Sequence, residues 1–326
     1  MTEKAVIGFD TGGTNTRVAI ASLGGEILEH KVERTNGIPG DELPKTIGTI
    51  IDEILNNSSK YLELVSMVGA IAGWVDYDNG ILKESPNIPG VHDLNFRTYF
   101  EQSFDVPFSL LNDGNAAALG IRNYDPQFRD IPNESLRHLV YVIMGTGIGG
   151  GLILNGKIYR GAGQAGEIGH MILEEDGPKC GCNQYGCWEA ICSGKNITLA
   201  ARRAYGHYPE SVIWEFACPD EESDVGKIQA KHVFQAARRE DPIAKHIIKR
   251  VQKYNGNAIH NLIMLYNPEA IVLGEAVAQN NQDLIFDPLQ EMLQADRDIY
   301  ESTGLYMAQI DSPGLYGAIQ EAINQI

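Results

Sequence analysis

Apolar residues in this chain fall into two rhythms, one of strands and one of helices. Ala5-Val-Ile-Gly-Phe9 and Val18-Ala-Ile-Ala21 are short unbroken apolar runs of the kind that form buried strands. Asp10-Thr-Gly-Gly-Thr-Asn-Thr-Arg17 between them reads as a turn, and Gly24-Gly25 turns the chain again. The design recurs about 135 residues later. There Leu139–Ile143 predicts a strand, Gly145-Thr-Gly-Ile-Gly-Gly-Gly151 a turn and Leu152–Leu154 a return strand. Asn155-Gly156 then gives a strong hairpin signal. Helical spacing runs from Glu42 to Leu55 and from Asp241-Pro242, a cap with an N1 proline, through Ile243, Ile247, Val251, Tyr254, Ala258, Leu262 and Leu265. Asn267-Pro268 stops that helix. Val65–Ala72, Phe108–Leu111 and Ala270–Gly274 read as further strands, and Asn112-Asp113 precedes a helical Asn115–Leu119.

These elements predict an α/β chain opened twice by a glycine-bearing meander. Both glycine turns join strand to strand. A P-loop or a dinucleotide fingerprint would need a helix directly after the glycines, so both are excluded. A glycine hairpin still binds phosphate when its N–H groups converge and no Cβ blocks approach. The first turn adds Asp and Thr side chains suited to a magnesium–phosphate ligand.

At 326 residues the chain exceeds the usual span of one core, which predicts two domains. Apolar content of 43% and charged content of 21% are those of a soluble globular enzyme. The formal charge of −17 repels phosphate backbones and argues against nucleic-acid binding. The basic doublets at 202–203, 238–239 and 249–250 stand alone on helical patterns. Leu139 to Gly156 carries no charge, but six of its eighteen residues are glycine, so a buried sheet is expected there and not a membrane span. Met1-Thr-Glu-Lys leads straight into a strand, so no targeting segment is expected and cytoplasm is the predicted location. The acidic stretch around Glu215–Asp224 reads as a solvated surface excursion.

The densest chemistry lies between Glu167 and Glu189. Cys180, Cys182 and Cys187 fall within eight residues, with His170 ten residues upstream. Three thiolates and one imidazole complete a tetrahedral shell, the signature of structural zinc, whereas catalytic zinc keeps a position open. A disulfide framework would need an oxidising compartment and suits neither the odd cysteine count nor the Cys-x-Cys spacing. Chance clustering of reduced thiols stays as the alternative. Cys192 and Cys218 lie outside the spacing and read as buried thiols. Glu167 and Glu189 flank a metal that does not need them, so the loop presents them to something else.

Taken together, these segments resemble the ROK family of repressors, open reading frames and sugar kinases, in the actin/hexokinase-like ATPase superfamily. The resemblance rests on Asp10-Thr-Gly-Gly-Thr14, Leu111-Asn-Asp-Gly-Asn-Ala-Ala-Ala-Leu-Gly120, Gly145-Thr-Gly147, Gly166-Glu-Ile-Gly-His170 and the cysteine cluster. It implies two actin-like (ribonuclease H-like) α/β domains with a cleft between them and a structural zinc loop in the larger one. The smaller domain would span 1–114, with a C-terminal helix at about 315–326 packing back on it, and the larger domain 115–314. It also implies an ATP-dependent hexose kinase, most similar to glucokinases, that works with Mg²⁺ and belongs to carbohydrate metabolism and glycolysis. A homodimer or higher homo-oligomer is implied as well.

By the same resemblance, Asn87, Asn112, Asp113, Glu167, His170 and Glu189 hold the sugar, and Asp113 is the general base. Asp10, Gly12, Gly13, Thr14, Gly145, Thr146, Gly147 and Gly274 hold the nucleotide, and His170, Cys180, Cys182 and Cys187 hold zinc. N-acetylmannosamine, N-acetylglucosamine and fructose kinases share these motifs. A family repressor would carry a DNA-binding segment ahead of Asp10, for which only nine residues are present. Each residue also has a plainer role: Asn112-Asp113 as a helix cap, Glu167 as a surface acid, Glu189 as a cap. Two departures from the family pattern stand out. Asn183 replaces a glycine of the cysteine loop, and Asn tolerates positive φ. Glu275 replaces the second glycine after the late strand, where its carboxylate is expected to repel the donor's phosphates; the alternatives are that it points outward or receives a ribose hydroxyl.

Overall fold

A computed structural model of the chain describes residues 3–35, 37–58, 62–132, 134–208, 210–217 and 224–326. They form two units: residues 1–137, 151–166 and 309–326 make the first, and residues 138–150 and 167–308 the second.

The first unit is built on β1 (Glu3–Thr11), β2 (Asn15–Ser22), β3 (Ile27–Arg34) and β4 (Leu62–Ile71). A small antiparallel sheet of β5 (Trp74–Asp76), β6 (Ile81–Glu84) and β7 (Leu94–Asn95) follows, and β8 (Phe108–Asn112) completes the main sheet. Its order is β3-β2-β1-β4-β8, antiparallel across the first three strands and parallel from β1 to β4 to β8. Alternation along β1 assigns its two faces. Ala5, Ile7 and Phe9 join a core with Phe96, Phe100 and Phe108 beneath the helices at Leu43–Asn57 and Phe96–Phe104. Val6 faces the other way, into a core with Ala116, Leu315, Ala318 and Ile319. These residues come from the helices Asp113–Tyr124 and Pro313–Asn324, so the end of the chain does pack as a helix on this first sheet.

The second unit repeats the plan. It holds β9 (Leu139–Met144) and the start of β10 (Ile148–Leu154), which continues into the first unit and turns through Asn155-Gly156 into β11 (Lys157–Ile158). β12 (Ala270–Gly274) and β13 (Gly304–Met307) follow, giving the order β11-β10-β9-β12-β13, with β9, β12 and β13 parallel. Asn155 and Gly156 both take positive φ, at 54° and 76°, as a two-residue hairpin of this hand requires. The long helix Pro242–Tyr266 starts as expected: Asp241 Oδ1 accepts from the Ile243 and Ala244 N–H groups at 3.0 and 2.8 Å.

One expectation is corrected in detail. The glycine turns are tighter than their composition suggests, covering only Gly12–Thr14 and Gly145–Gly147, because the flanking strands run on to Thr11 and begin again at Asn15 and Ile148. Gly149–Gly151 are strand residues. A Cβ on Gly150 would stand 2.7 Å from Tyr141 O and 2.5 Å from Ile168 Cδ1, so close packing, not turning, demands a glycine there. The acidic excursion is described only in part. A short helix spans Ile213–Ala217, and Asp224 caps a 3₁₀ turn by accepting from Gly226 N at 2.8 Å. Cys218 lies outside the described residues.

Glycine also sets the approach of the helices Asp113–Tyr124 and Pro313–Asn324. A Cβ on Gly317 would fall inside contact distance of Ala116 O, and one on Gly120 would do the same to Pro313 O. Gly317→Ala should therefore cost about 1–3 kcal/mol of stability by overpacking. Gly24→Ala, with nothing nearer than Ser22 Oγ at 3.6 Å, should stay within about 0.5 kcal/mol of the parent. Urea unfolding of the two variants checks the difference.

Candidate active site

In the first unit the functional segments gather at the carboxyl ends of the parallel strands, the edge where open α/β sheets hold ligands. Register places Thr11 beside Ile71 and Ile71 beside Asn112, so the first glycine turn and Asn112-Asp113 lie two strands apart, about 10 Å. Gly12 N donates to Asn15 O at 3.0 Å and closes the turn. Gly13 has no room for a side chain, since a Cβ would stand 2.7 Å from Asn87 O. That contact brings Asn87 against the first glycine turn. Asp10 sits at the end of β1 with the Arg17 guanidinium 3.9 Å from its carboxylate, and Gly314 backs it. Thr14 is the exposed tip of the turn.

The capping question at Asn112-Asp113 resolves in favour of Asn112. It is the N-cap of Asp113–Tyr124, with Oδ1 accepting from Asn115 N and Nδ2 donating to Gly73 O, both at 3.2 Å. Asp113 is the first helical residue, half-buried, with its carboxylate in the positive end of the helix dipole. The Asn115 side chain is almost fully buried and donates to Tyr77 Oη at 3.0 Å. Tyr77 in turn lies under the Arg160 guanidinium, 4.6 Å from the ring centre, and Arg160 pairs with Glu321 at 2.9 Å. Nothing in the local sequence around Tyr77 or Arg160 marks them as supports of this segment.

In the second unit, His170, Cys180, Cys182 and Cys187 converge. Their donor atoms all lie within 4.8 Å of one another. Cys182 and Cys187 Sγ are 3.6 Å apart, and His170 Nδ1 is 3.6 Å from Cys180 Sγ. Sulfurs bound at about 2.3 Å to a tetrahedral zinc stand about 3.7 Å apart, so the donor set and its spacing fit that ion. Burial, reinforced by the neighbouring sulfurs, pushes the Cys187 thiol up to about 12 and raises that of Cys180. Cys182 differs: although burial opposes it, hydrogen bonding to the Gln184 backbone and the neighbouring sulfurs holds its thiol below the usual range, and a cation would favour the thiolate form of all three. Asn183 and Gly186 turn the loop at φ of 70° and 69°, so asparagine does serve where the family pattern has glycine. Cys192 is a buried thiol whose Sγ donates to Val251 O at 3.6 Å, and burial raises its pKa.

The two carboxylates beside the cluster are placed differently. Glu167 precedes the 3₁₀ turn Ile168–His170, and the His170 N–H donates to its carbonyl at 3.1 Å. Part of its side chain reaches solvent, yet desolvation pushes its carboxyl above the ordinary range, opposed by His170 and aided by Glu189. Glu189 does not cap its own helix, Trp188–Cys192. Its Oε2 accepts from Ile148 N at 3.0 Å, at the edge of the second glycine turn. Gly147 makes that approach possible, because a Cβ there would stand 2.5 Å from the same oxygen.

The second turn is held on three sides. Gly145 N donates to Gly147 O at 3.0 Å, Gly194 N to Gly145 O at 2.9 Å and Lys195 N to Thr146 O at 3.1 Å. Gly194 opens the helix Gly194–Ala204, capped by Ser193, which puts a helix N-terminus and the cation Lys195 beside the turn. Ser193-Gly194 was the available sequence signal for this support. Gly274 ends β12 next to Ile143, and a Cβ on it would collide with Tyr141 Oη. Glu275 follows at φ 71°, ψ 169°, a region open essentially to glycine alone, where other residues carry about 1–3 kcal/mol of strain. One further support was invisible locally: Glu174 accepts from Tyr254 Oη at 2.6 Å and pairs with Arg250, tying the cysteine loop to the long helix.

Among the described residues no helix is long and apolar enough to cross a membrane. The ROK family pattern matches residues 6–320. A glucokinase of Thermotoga maritima is 31% identical over 295 residues, covering 89% of this chain and 87% of that protein. The crystal structure of a ROK hexokinase from Thermus thermophilus superposes with a TM-score of 0.79 at 26% identity, over 98% of each chain. A ROK glucokinase from Streptomyces griseus, solved in complex with glucose and AMPPNP, gives 0.73 at 26% identity, over 98% of this chain and 99% of that one. With the family pattern spanning nearly its whole length, this chain belongs to the ROK family.

Proposed function

We propose that this protein, an ATP-dependent sugar kinase, transfers the γ-phosphoryl group of ATP to the 6-hydroxyl of glucose. The observation that carries the reading is the strand–Asn112-Asp113–helix junction, where Asn112 takes the capping role and Asp113 opens the helix with its carboxylate in the positive end of the helix dipole. Asp113 is the general base. As the 6-oxygen bonds to the γ-phosphorus and the bond to the bridging oxygen of ADP breaks, the hydroxyl proton passes to the Asp113 carboxylate. Asn87, Asn112, Asp113, Glu167, His170 and Glu189 are assigned to the sugar hydroxyls. Each hydroxyl both donates and accepts, which suits a set of carboxylates, amides and an imidazole. His170 turns Nδ1 toward the sulfurs, which leaves Nε2 for a hydroxyl.

The nucleotide is assigned to Asp10, Gly12, Gly13, Thr14, Gly145, Thr146, Gly147 and Gly274. Magnesium bound with ATP neutralises charge on the transferring group. Zinc, held by His170, Cys180, Cys182 and Cys187, has a full protein shell and supplies a cross-link. The glucose assignment follows the 31%-identical glucokinase. An ADP-release assay against a panel of glucose, fructose, N-acetylglucosamine and N-acetylmannosamine tests it. The highest kcat/KM should fall on glucose, and a preference for an N-acetylhexosamine or fructose would move the protein to another branch of the family.

Asp113→Asn keeps the shape and a hydrogen bond but removes the base. Turnover should fall roughly 10²–10⁴-fold, with sugar affinity changed much less. Near-parental turnover would return Asp113 to a structural role.

Purified protein should carry about one zinc per chain, lost in Cys180→Ser or Cys187→Ser, with sugar binding weakened as the loop loosens. Since the metal-free Cys187 thiol lies near 12, zinc binding must release protons, and zinc affinity should fall as pH is lowered. Elemental analysis across a pH series measures both effects.

A further inference from the structure

We propose that Glu275 binds the nucleotide donor by accepting hydrogen bonds from its ribose hydroxyls, an inference that rests on the kinase reading of the second glycine turn. Three observations carry it. Glu275 occupies a backbone region that suits glycine, at φ 71°, ψ 169°. The strain has no local escape: Gly274 is pressed against the Tyr141 hydroxyl on one side, and on the other Gln279 N donates to Glu275 O at 2.9 Å to open the next helical turn. The side chain, although exposed, lies along the glycine turn. A Cβ on Gly145 would stand 3.5 Å from Glu275 Cβ and 3.9 Å from its Oε2.

The position of that carboxylate selects its partner. The N–H groups of a glycine turn accept phosphate, and a carboxylate offers phosphate nothing, being an acceptor only. Beside the phosphates of a nucleotide the next donors along the molecule are the two vicinal ribose hydroxyls, and one carboxylate can accept from both. The opposite role, repulsion of the phosphates, leaves the strain without any return. A residue that both strains the backbone and weakens the donor would be replaced by glycine at no loss. Strain is retained where the strained group does work. The carboxylate also gives the site a preference for ribonucleotides over donors that lack a sugar, such as inorganic polyphosphate.

The experiment compares the full-length parent with Glu275→Gly and Glu275→Gln. Glycine should raise the melting temperature by about 2–4 °C, because it relieves the strain; this also shows that the variant folds. The KM for ATP should rise about tenfold or more, as for a lost hydrogen bond to a charged group, while kcat and the KM for sugar hold. Glu275→Gln keeps one acceptor oxygen and should fall between. The parent should use 2′-deoxy-ATP and 3′-deoxy-ATP less well than ATP, and Glu275→Gly should lose that discrimination. Calorimetric binding of Mg-ATP reads the same contact without turnover. An unchanged or lower KM for ATP in Glu275→Gly, or undiminished discrimination against the deoxy donors, overturns the proposal. If the parent turns over no hexose yet binds Mg-ATP, the sugar assignment fails and the Glu275 contact is still read by calorimetry. If Mg-ATP does not bind, both fall.

Discussion

Three consecutive residues, Cys187, Trp188 and Glu189, face three different partners, and the second unit's functional geometry depends on that divergence. Trp188 is fully buried, and its Nε1 donates to Asn255 Oδ1 on the long helix at 2.8 Å, which fixes the segment in the core. With Trp188 anchored, Cys187 can only turn toward the sulfur cluster. Glu189 Oε2 accepts from Ile148 N at the second glycine turn, while its Oε1 lies 3.8 Å from Cys180 Sγ. The metal loop and the glycine turn are thereby held by one short helix. A shift of the Trp188 side chain would move both together. Glycine at 147 completes the constraint, because any side chain there would occupy the space that the Glu189 carboxylate needs.

Much of this arrangement was legible in the sequence because its signals are local. Buried strands announced themselves as short apolar runs, Asp241-Pro242 and Asn267-Pro268 bracketed the long helix, and Asn155-Gly156 formed the expected hairpin. The two meanders did become sheets of matching order. The cysteine spacing was equally direct. Metal-ligand sets made of nearby residues need only a tight turn, and Asn183 and Gly186 supply it. Asn112 showed its capping character by chemistry alone, since its side chain can satisfy the N–H of the residue three positions on.

What was not legible is what depends on long-range packing. Glu174 meets Arg250 from 76 residues away, and no periodicity marks either member of that pair. Glycine posed the same difficulty in another form. The run Gly145–Gly151 looked uniform, yet Gly147 admits a carboxylate and Gly150 admits a neighbouring strand and Ile168. Only Gly145–Gly147 form the turn, since β10 starts at Ile148. A glycine's sequence neighbours do not say which atom will approach it. For Glu275 the sequence favoured repulsion, with attraction as the alternative, and could not show its strained backbone angles, because strain is a property of conformation and not of composition.

The charge balance explains why so much rests on backbone groups. A chain with 43 acidic and 26 basic residues is a poor host for a polyanion by net charge. Net charge, however, acts through solvent and fades over about 8 Å at physiological ionic strength, whereas N–H dipoles in a preorganised turn act at contact. Two glycine turns, a helix N-terminus at Gly194 and one nearby lysine therefore matter more to a phosphate than the distant surface acids. Arg17, just past the first turn, lies 3.9 Å from Asp10, so part of its charge is already answered within the protein. Phosphate recognition by N–H groups leaves the carboxylates at these turns for other partners. Glu189, for one, is directed at the Ile148 N–H of the second turn. An acidic chain can present N–H donors to an anion at such turns because carboxylates beside them are themselves engaged, Asp10 by Arg17 and Glu189 by the Ile148 N–H.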